Sequence, residues 1–151
     1  MVPAAAAGGH APGPGNSPGF LLWHVGLRWQ SLLAKRLEPI ELTPAQFTLL
    51  ATVLWLERAH DDEPPVQREV AAYAGIDPMM TSQVLRKLAD RSLVSRSVDP
   101  ADSRARLLSL TPDGKALVAK AMKDVEDADQ AYFAGLGDEQ QVFVRGLTRL
   151  L

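Results

Sequence analysis

The side chains best suited to reading the edge of a base pair fall together in one short segment. Between Asp77 and Arg91, a rotation of about 100° per residue puts Thr81, Val84, Leu85 and Leu88 on one face and leaves Met79, Ser82, Gln83 and Arg86 on the other. Glutamine pairs bidentately with adenine, arginine with guanine, serine with either, and an apolar side chain meets a thymine methyl. Asp77 is suited to cap this helix and Pro78 to open it. The first turn, Pro78 to Met80, then offers backbone N–H groups to a phosphate. Outward Gln and Arg also decorate helices that face only solvent or bind protein, so the segment taken alone leaves both readings open.

A second group follows directly. Arg96, Asp102, Arg104 and Arg106 lie in and around two runs of strand character, Leu93 to Val98 and Ala105 to Leu110, joined by the turn-rich stretch Asp99 to Arg104. An arginine at such a hairpin tip reaches a minor groove, and a carboxylate two residues earlier can orient its guanidinium by a charge-assisted hydrogen bond. The plain alternative is a surface salt bridge worth at most about 1 kcal/mol. Because the tip comes straight after a helix suited to a groove, the nucleic-acid reading is favoured.

The elements that must hold these groups can be read outward from them. Gln67 to Ala74 has the pattern of a short helix stopped by Gly75, two residues before Asp77. Two short helices on a tight turn, followed by a hairpin, make a winged helix-turn-helix. Upstream, Thr43 and Gln46 have capping-box spacing, with Pro44 at the first helical position, Leu42 and Phe47 as a hydrophobic staple, and a stripe through Leu50, Ala51 and Leu54. Before that, Leu21, Val25, Trp29 and Leu32 define a helix from Phe20 that stops ahead of Pro39. After the hairpin, Thr111 and Pro112 open a long helix through Val118, Ala121, Met122, Val125 and Tyr132, ending around Gly135. Asp138, with Gln141 three residues on, is expected to start a last helix carrying Val142, Phe143 and Leu147. The expected fold is mainly α with a small β-hairpin wing (α+β), in one domain over residues 18–151, after a flexible Ala/Gly/Pro-rich tail at 1–17.

Composition narrows the chemistry. The absence of cysteine removes disulfides, thiolate metal sites, cysteine nucleophiles and thiol redox sensing. His10, His24 and His60 lie far apart and form no metal-binding pair, so no metal and no cofactor are expected. No nucleophile, base and orienting group recur at informative spacing, and no Gly-rich phosphate loop follows a strand, so no catalytic residue is assigned. The longest nearly apolar run, Phe47 to Leu56, is half the length of a membrane span, and the N-terminus lacks the features of a secretion signal, so a cytoplasmic protein without a membrane partner is expected. The net charge of −2 is unevenly distributed. Ser82 to Arg106 carries six basic against three acidic residues, whereas Thr111 to Gln140 carries three against seven. The middle of the chain suits phosphate and the C-terminal part does not.

From Leu85 to Gly114 the sequence LRKLADRSLVSRSVDPADSRARLLSLTPDG resembles the MarR family of winged helix-turn-helix regulators. The D-x-R core of its wing corresponds to Asp102 and Arg104, and its L-T-x-x-G motif to Leu110, Thr111 and Gly114. Looser resemblance in helix order extends over Phe20 to Leu151, while Ser92 departs from the glycine usual between the reading helix and the first strand. The family's peroxide-sensing branch relies on a cysteine absent here. The resemblance implies a homodimer held by helices at 18–40 and 111–151 around a winged unit at 43–110. It also implies binding to a pseudopalindromic operator in double-stranded DNA, often released on binding a small molecule, and a repressor is the leading reading. Physical argument agrees on the dimer, because a helix from Pro112 to about Phe133 is roughly 33 Å long and its apolar stripe outruns a wing domain of this size. Trp23, His24, Arg28, Trp29 and Trp55 form the expected effector group: aromatic walls and two cations four residues apart, where related proteins accept small aromatic, often anionic molecules. Plain core is the competing reading of such a tryptophan stripe. A winged-helix module that binds protein and not DNA is the competing function.

Overall fold

The computed structural model describes residues 14–151, so residues 1–13 of the expected tail lie outside the described residues. Pro14–Asn16 form a single 3-10 turn, and helix α1 runs from Pro18 to Leu37. It is followed by α2 (Pro44–Ala59), α3 (Gln67–Ala74), α4 (Pro78–Asp90), strands β1 (Val94–Val98) and β2 (Arg106–Leu110), α5 (Pro112–Phe133) and α6 (Gln140–Thr148).

Local chemistry fixes the boundaries. At the start of α2 the full capping box forms: Gln46 N–H donates to Thr43 Oγ1 at 3.2 Å and Thr43 N–H to Gln46 Oε1 at 3.0 Å. Helix α3 stops where Gly75 turns left-handed at φ 65°, a conformation without penalty only for glycine, and α4 begins three residues on. Ser92 also sits in the left-handed region, at φ 56°, where the family's usual glycine would be unstrained. The L-T-x-x-G motif has two physical causes. The Thr111 hydroxyl accepts from Gly114 N–H at 3.0 Å and donates to the Ser92 carbonyl at 2.7 Å, and any Cβ on Gly114 would drive into the backbone carbonyl of Leu93.

The hairpin is antiparallel, with Val94 opposite Leu110 and Val98 opposite Arg106. It is stitched to the segment before α3 by a bridge between Val66 and Leu107 and by Leu108 N–H donating to the Pro65 carbonyl at 3.0 Å. Beneath it lies a core in which Leu49, Leu50 and Val53 of α2, Val70 of α3, Leu85 and Leu88 of α4, Leu108 of β2 and Val118 of α5 are fully enclosed. Each such side chain contributes roughly 1.5–3 kcal/mol of burial free energy. Leu33 and Leu37 join α1 to this core by its C-terminal half only.

The C-terminal start differs from expectation. Residues Ala134–Glu139 form 3-10 turns after α5 that are broken by a kink at Gly137, so Asp138 lies just past the kink and not at a cap position. Glu139 precedes α6 with helical φ/ψ and no side-chain cap. The non-helical residue that a cap requires falls at Gly137 (φ 49°, ψ −127°), which has no side chain to cap with.

Candidate nucleic-acid interface

Helix α4 is positioned by Leu85 and Leu88, both sealed in the core, and by Thr81, whose hydroxyl donates to the Ile76 carbonyl at 3.3 Å. Val84 completes the inner face, half-buried. With that face fixed, Met79, Met80, Gln83 and Arg86 are exposed, Ser82 is half-buried, and Met79 is 72% accessible. Among the described residues neither Gln83 nor Arg86, on the outer face of this helix, makes a hydrogen bond or ion pair.

The first turn behaves differently from expectation. Asp77 Oδ1 accepts from both Met79 N–H at 2.9 Å and Met80 N–H at 3.0 Å, so two of the amides offered to a phosphate are already satisfied by a carboxylate that would repel one. Pro78, exposed beside them, has no N–H to give.

The wing also corrects part of the reading. Arg104 is exposed near the tip, but Asp102 does not hold its guanidinium: Asp102 Oδ1 accepts the backbone N–H of Arg104 at 3.0 Å. Asp99 Oδ1 accepts from Ala101 N–H at 2.8 Å in the same manner, so the two aspartates fold the loop and leave the Arg104 side chain free to project. Arg106 Nη1 donates to the Ser103 and Ala105 carbonyls, both at 3.1 Å, and so braces the turn from beneath. Arg96 faces away from the outer surface, with Nη2 donating to Gln67 Oε1 at 2.9 Å. An arginine in the middle of β1 can reach the neighbouring helix, and the sequence alone could not say which direction it takes.

Between α3, the α3–α4 turn and the wing runs an open cleft of about 880 Å³, lined by Gln67, Arg68, Asp77, Pro78, Asp102, Arg104 and Arg106 among others. Arg68 is a basic residue that the sequence reading passed over. A signal was available, because the first helix of a helix-turn-helix crosses the sugar-phosphate backbone and Arg68 is the second residue of that helix.

The expected effector group is not one site in the chain. Trp29 is half-buried against Tyr132 and Phe133, with ring centroids 5.6 and 5.8 Å away. His24 lies against Phe20 at 4.2 Å, while Trp23 and Arg28 are exposed on α1. Trp55 belongs elsewhere: it stacks on Tyr73 of α3 at 4.7 Å with planes 22° apart. That pair borders an apolar concavity of about 310 Å³ with Phe47, Ala51, Met122 and one cation, Arg58. Spacing along α1 could not reveal this grouping, which depends on α3 and α5 crossing α2.

An exposed reading helix beside a two-stranded wing, with arginines on both and a cleft between them, defines a winged helix-turn-helix DNA-binding protein. Comparison with known proteins carries this further. A winged-helix domain described as ArnR1-like matches residues 38–128. The HTH-type transcriptional regulator YdcH of Bacillus subtilis is 40% identical over 139 residues, 92% of each chain. A MarR-family transcriptional regulator from Rhodococcus sp. RHA1 superposes with a TM-score of 0.80 at 29% identity, over 92% of this chain and 94% of that one. The repressor CouR of Rhodococcus jostii RHA1, solved on a 23-mer DNA duplex, gives 0.79 at 28% identity over 90% and 93%. BpsR of Bordetella bronchiseptica, whose DNA binding is regulated by 6-hydroxynicotinic acid, gives 0.78 at 29% over 93% and 96%. The chain belongs to the MarR family of winged-helix transcriptional regulators. That family is one of DNA-binding regulators and not a class of enzymes, and it favours the DNA-binding reading over a module that binds only protein. Among the described residues no helix is long and apolar enough to cross a membrane.

Proposed function

We propose that the chain acts as a homodimeric repressor, placing two copies of α4 in successive major grooves of a pseudopalindromic operator while Arg104 of each wing enters the flanking minor groove. The observation that carries this reading is the unoccupied outer face of α4, with Gln83 and Arg86 exposed and free beside a projecting Arg104. Arg68 at the rim of the intervening cleft is suited to the phosphates that must pass through it.

Two-fold pairing is supported by apolar surface that the chain leaves open. Phe20, Leu21, Leu22, Trp23 and Leu27 on α1, and Val142, Val144, Leu150 and Leu151 at the C-terminus, are exposed, far more than scattered surface residues require. Pairing through these helices sets half-sites about one helical turn, ~34–36 Å, apart. The apolar concavity beside Trp55, Tyr73 and Arg58 suits a flat aromatic anion, with rings to stack on and one guanidinium for a carboxylate. Trp23, His24 and Arg28 then belong to the dimer contact.

Recovering and sequencing genomic fragments bound by the purified protein tests the main reading. The expected result is a two-fold-symmetric motif; fragments without any shared motif, or a stable monomer in sedimentation at micromolar concentration, would remove it. For the effector, small aromatic carboxylates are expected to raise the melting temperature and loosen operator binding, and Arg58→Ala to abolish both responses.

A further inference from the structure

Arg96 is a wing arginine with an unusual setting. It is half-buried in the middle of β1, opposite Leu108, and its Nε is fully enclosed without a hydrogen-bond partner. Among the described residues no carboxylate lies within ion-pairing distance of it. Enclosing a guanidinium nitrogen without a partner costs free energy. An apolar side chain of similar length would fill the same space without that cost. What arginine supplies and an apolar residue would not is the bond from Nη2 to Gln67 Oε1 at 2.9 Å.

The location of that bond gives it a consequence. Gln67 is the first residue of α3, and the segment just before it is already sewn to β2 by the Val66–Leu107 bridge and by Leu108 N–H on the Pro65 carbonyl. Arg96 adds a tie from the other strand, one residue further on. Gln67 and Arg68 form one bank of the cleft, and Arg104 and Arg106 form the other. The width of the cleft therefore depends on how firmly α3 is held to the hairpin.

We propose that Arg96 is a positioning residue for DNA binding: acting through Gln67, it fixes the separation of α3 and the wing so that both banks meet the same stretch of backbone. It contacts no phosphate itself. This rests on the DNA-binding reading above, and the two can fail separately.

The experiment measures operator affinity against salt for the full-length wild type, Arg96→Met, Gln67→Met and the double variant, all well below the lowest melting midpoint of the set. Arg96→Met is expected to weaken binding about tenfold, since the two bonds lost per dimer lie within the protein and only part of their free energy goes into DNA affinity. The slope of log affinity against log salt should stay at the wild-type value, because no phosphate contact has gone. In the Gln67→Met background the Arg96 substitution should have no further effect. If Arg96→Met fails to fold, Gln67→Met alone carries the test and should show the same tenfold loss at unchanged slope. A slope reduced by about one unit per wing would mean that Arg96 touches phosphate and would overturn the proposal. So would a full Arg96 effect persisting without Gln67, or unchanged affinity of the folded Arg96→Met or Gln67→Met protein. A wild type that binds no DNA would instead sink the functional reading.

Discussion

The winged unit and the helices that flank it obey opposite rules. From α2 to the first half of α5 a leucine- and valine-rich core is enclosed, the starts of α2, α4 and α5 are capped by side chains, and the wing loop is folded by aspartates. Beyond it, the N-terminal half of α1 shows phenylalanine, leucines and tryptophan to solvent, and α6 has no buried residue and no side-chain cap. One region is complete within a single chain. The other leaves apolar surface open, which the proposed pairing with a further copy would cover, and the same apolar residue type then has a different energetic role in each.

That contrast can be broken by substitution. The largest effect is expected at Gly114, where a methyl group would meet the backbone carbonyl of Leu93 and neither side can yield cheaply. Gly114→Ala should cost about 3 kcal/mol or more in urea unfolding, at the upper end for overpacking. Leu85→Ala, inside the closed unit, should cost about 2–5 kcal/mol by leaving a cavity. Leu22→Ala, on the open stretch of α1, should barely alter the unfolding of isolated chains but raise the dissociation constant of the dimer in sedimentation. Equal destabilisation by the two leucine substitutions would erase the distinction between the regions.

Smaller changes sharpen it. Thr43→Ala removes one side of the capping box and should lose about 1 kcal/mol. Ser92→Gly relieves a left-handed backbone and should gain up to about 1 kcal/mol, a little of it returned as chain entropy. Both are read from urea midpoints at fixed dimer concentration, and a loss of stability in Ser92→Gly would contradict the strain argument.

What the sequence made legible follows the same division. Elements within the closed unit were readable because their signals are local: Thr43 with Gln46, Gly75, Asp77 with Pro78, and the alternation of the hairpin each specify a boundary within a few residues. The outward set on α4 was readable because helical periodicity alone determines it. Side-chain direction across elements was not. Arg96 turning to Gln67, Asp102 choosing a backbone amide over a guanidinium, and Trp55 meeting Tyr73 depend on which helix lies alongside, and spacing along the chain does not encode that. Asp138 misled because the break in the helical path falls one residue earlier, at Gly137, which leaves Asp138 inside the turn that follows.

The central claim, that α4 reads bases while Arg104 of the wing holds the flanking minor groove, is tested most directly by measuring Arg86→Ala and Arg104→Ala against the operator and a panel of its single base-pair variants. The account predicts that Arg86→Ala flattens discrimination at one position in each half-site, by about 1–3 kcal/mol, and that Arg104→Ala weakens all sequences alike. Discrimination unchanged by Arg86→Ala, with affinity unchanged by Arg104→Ala, would contradict it.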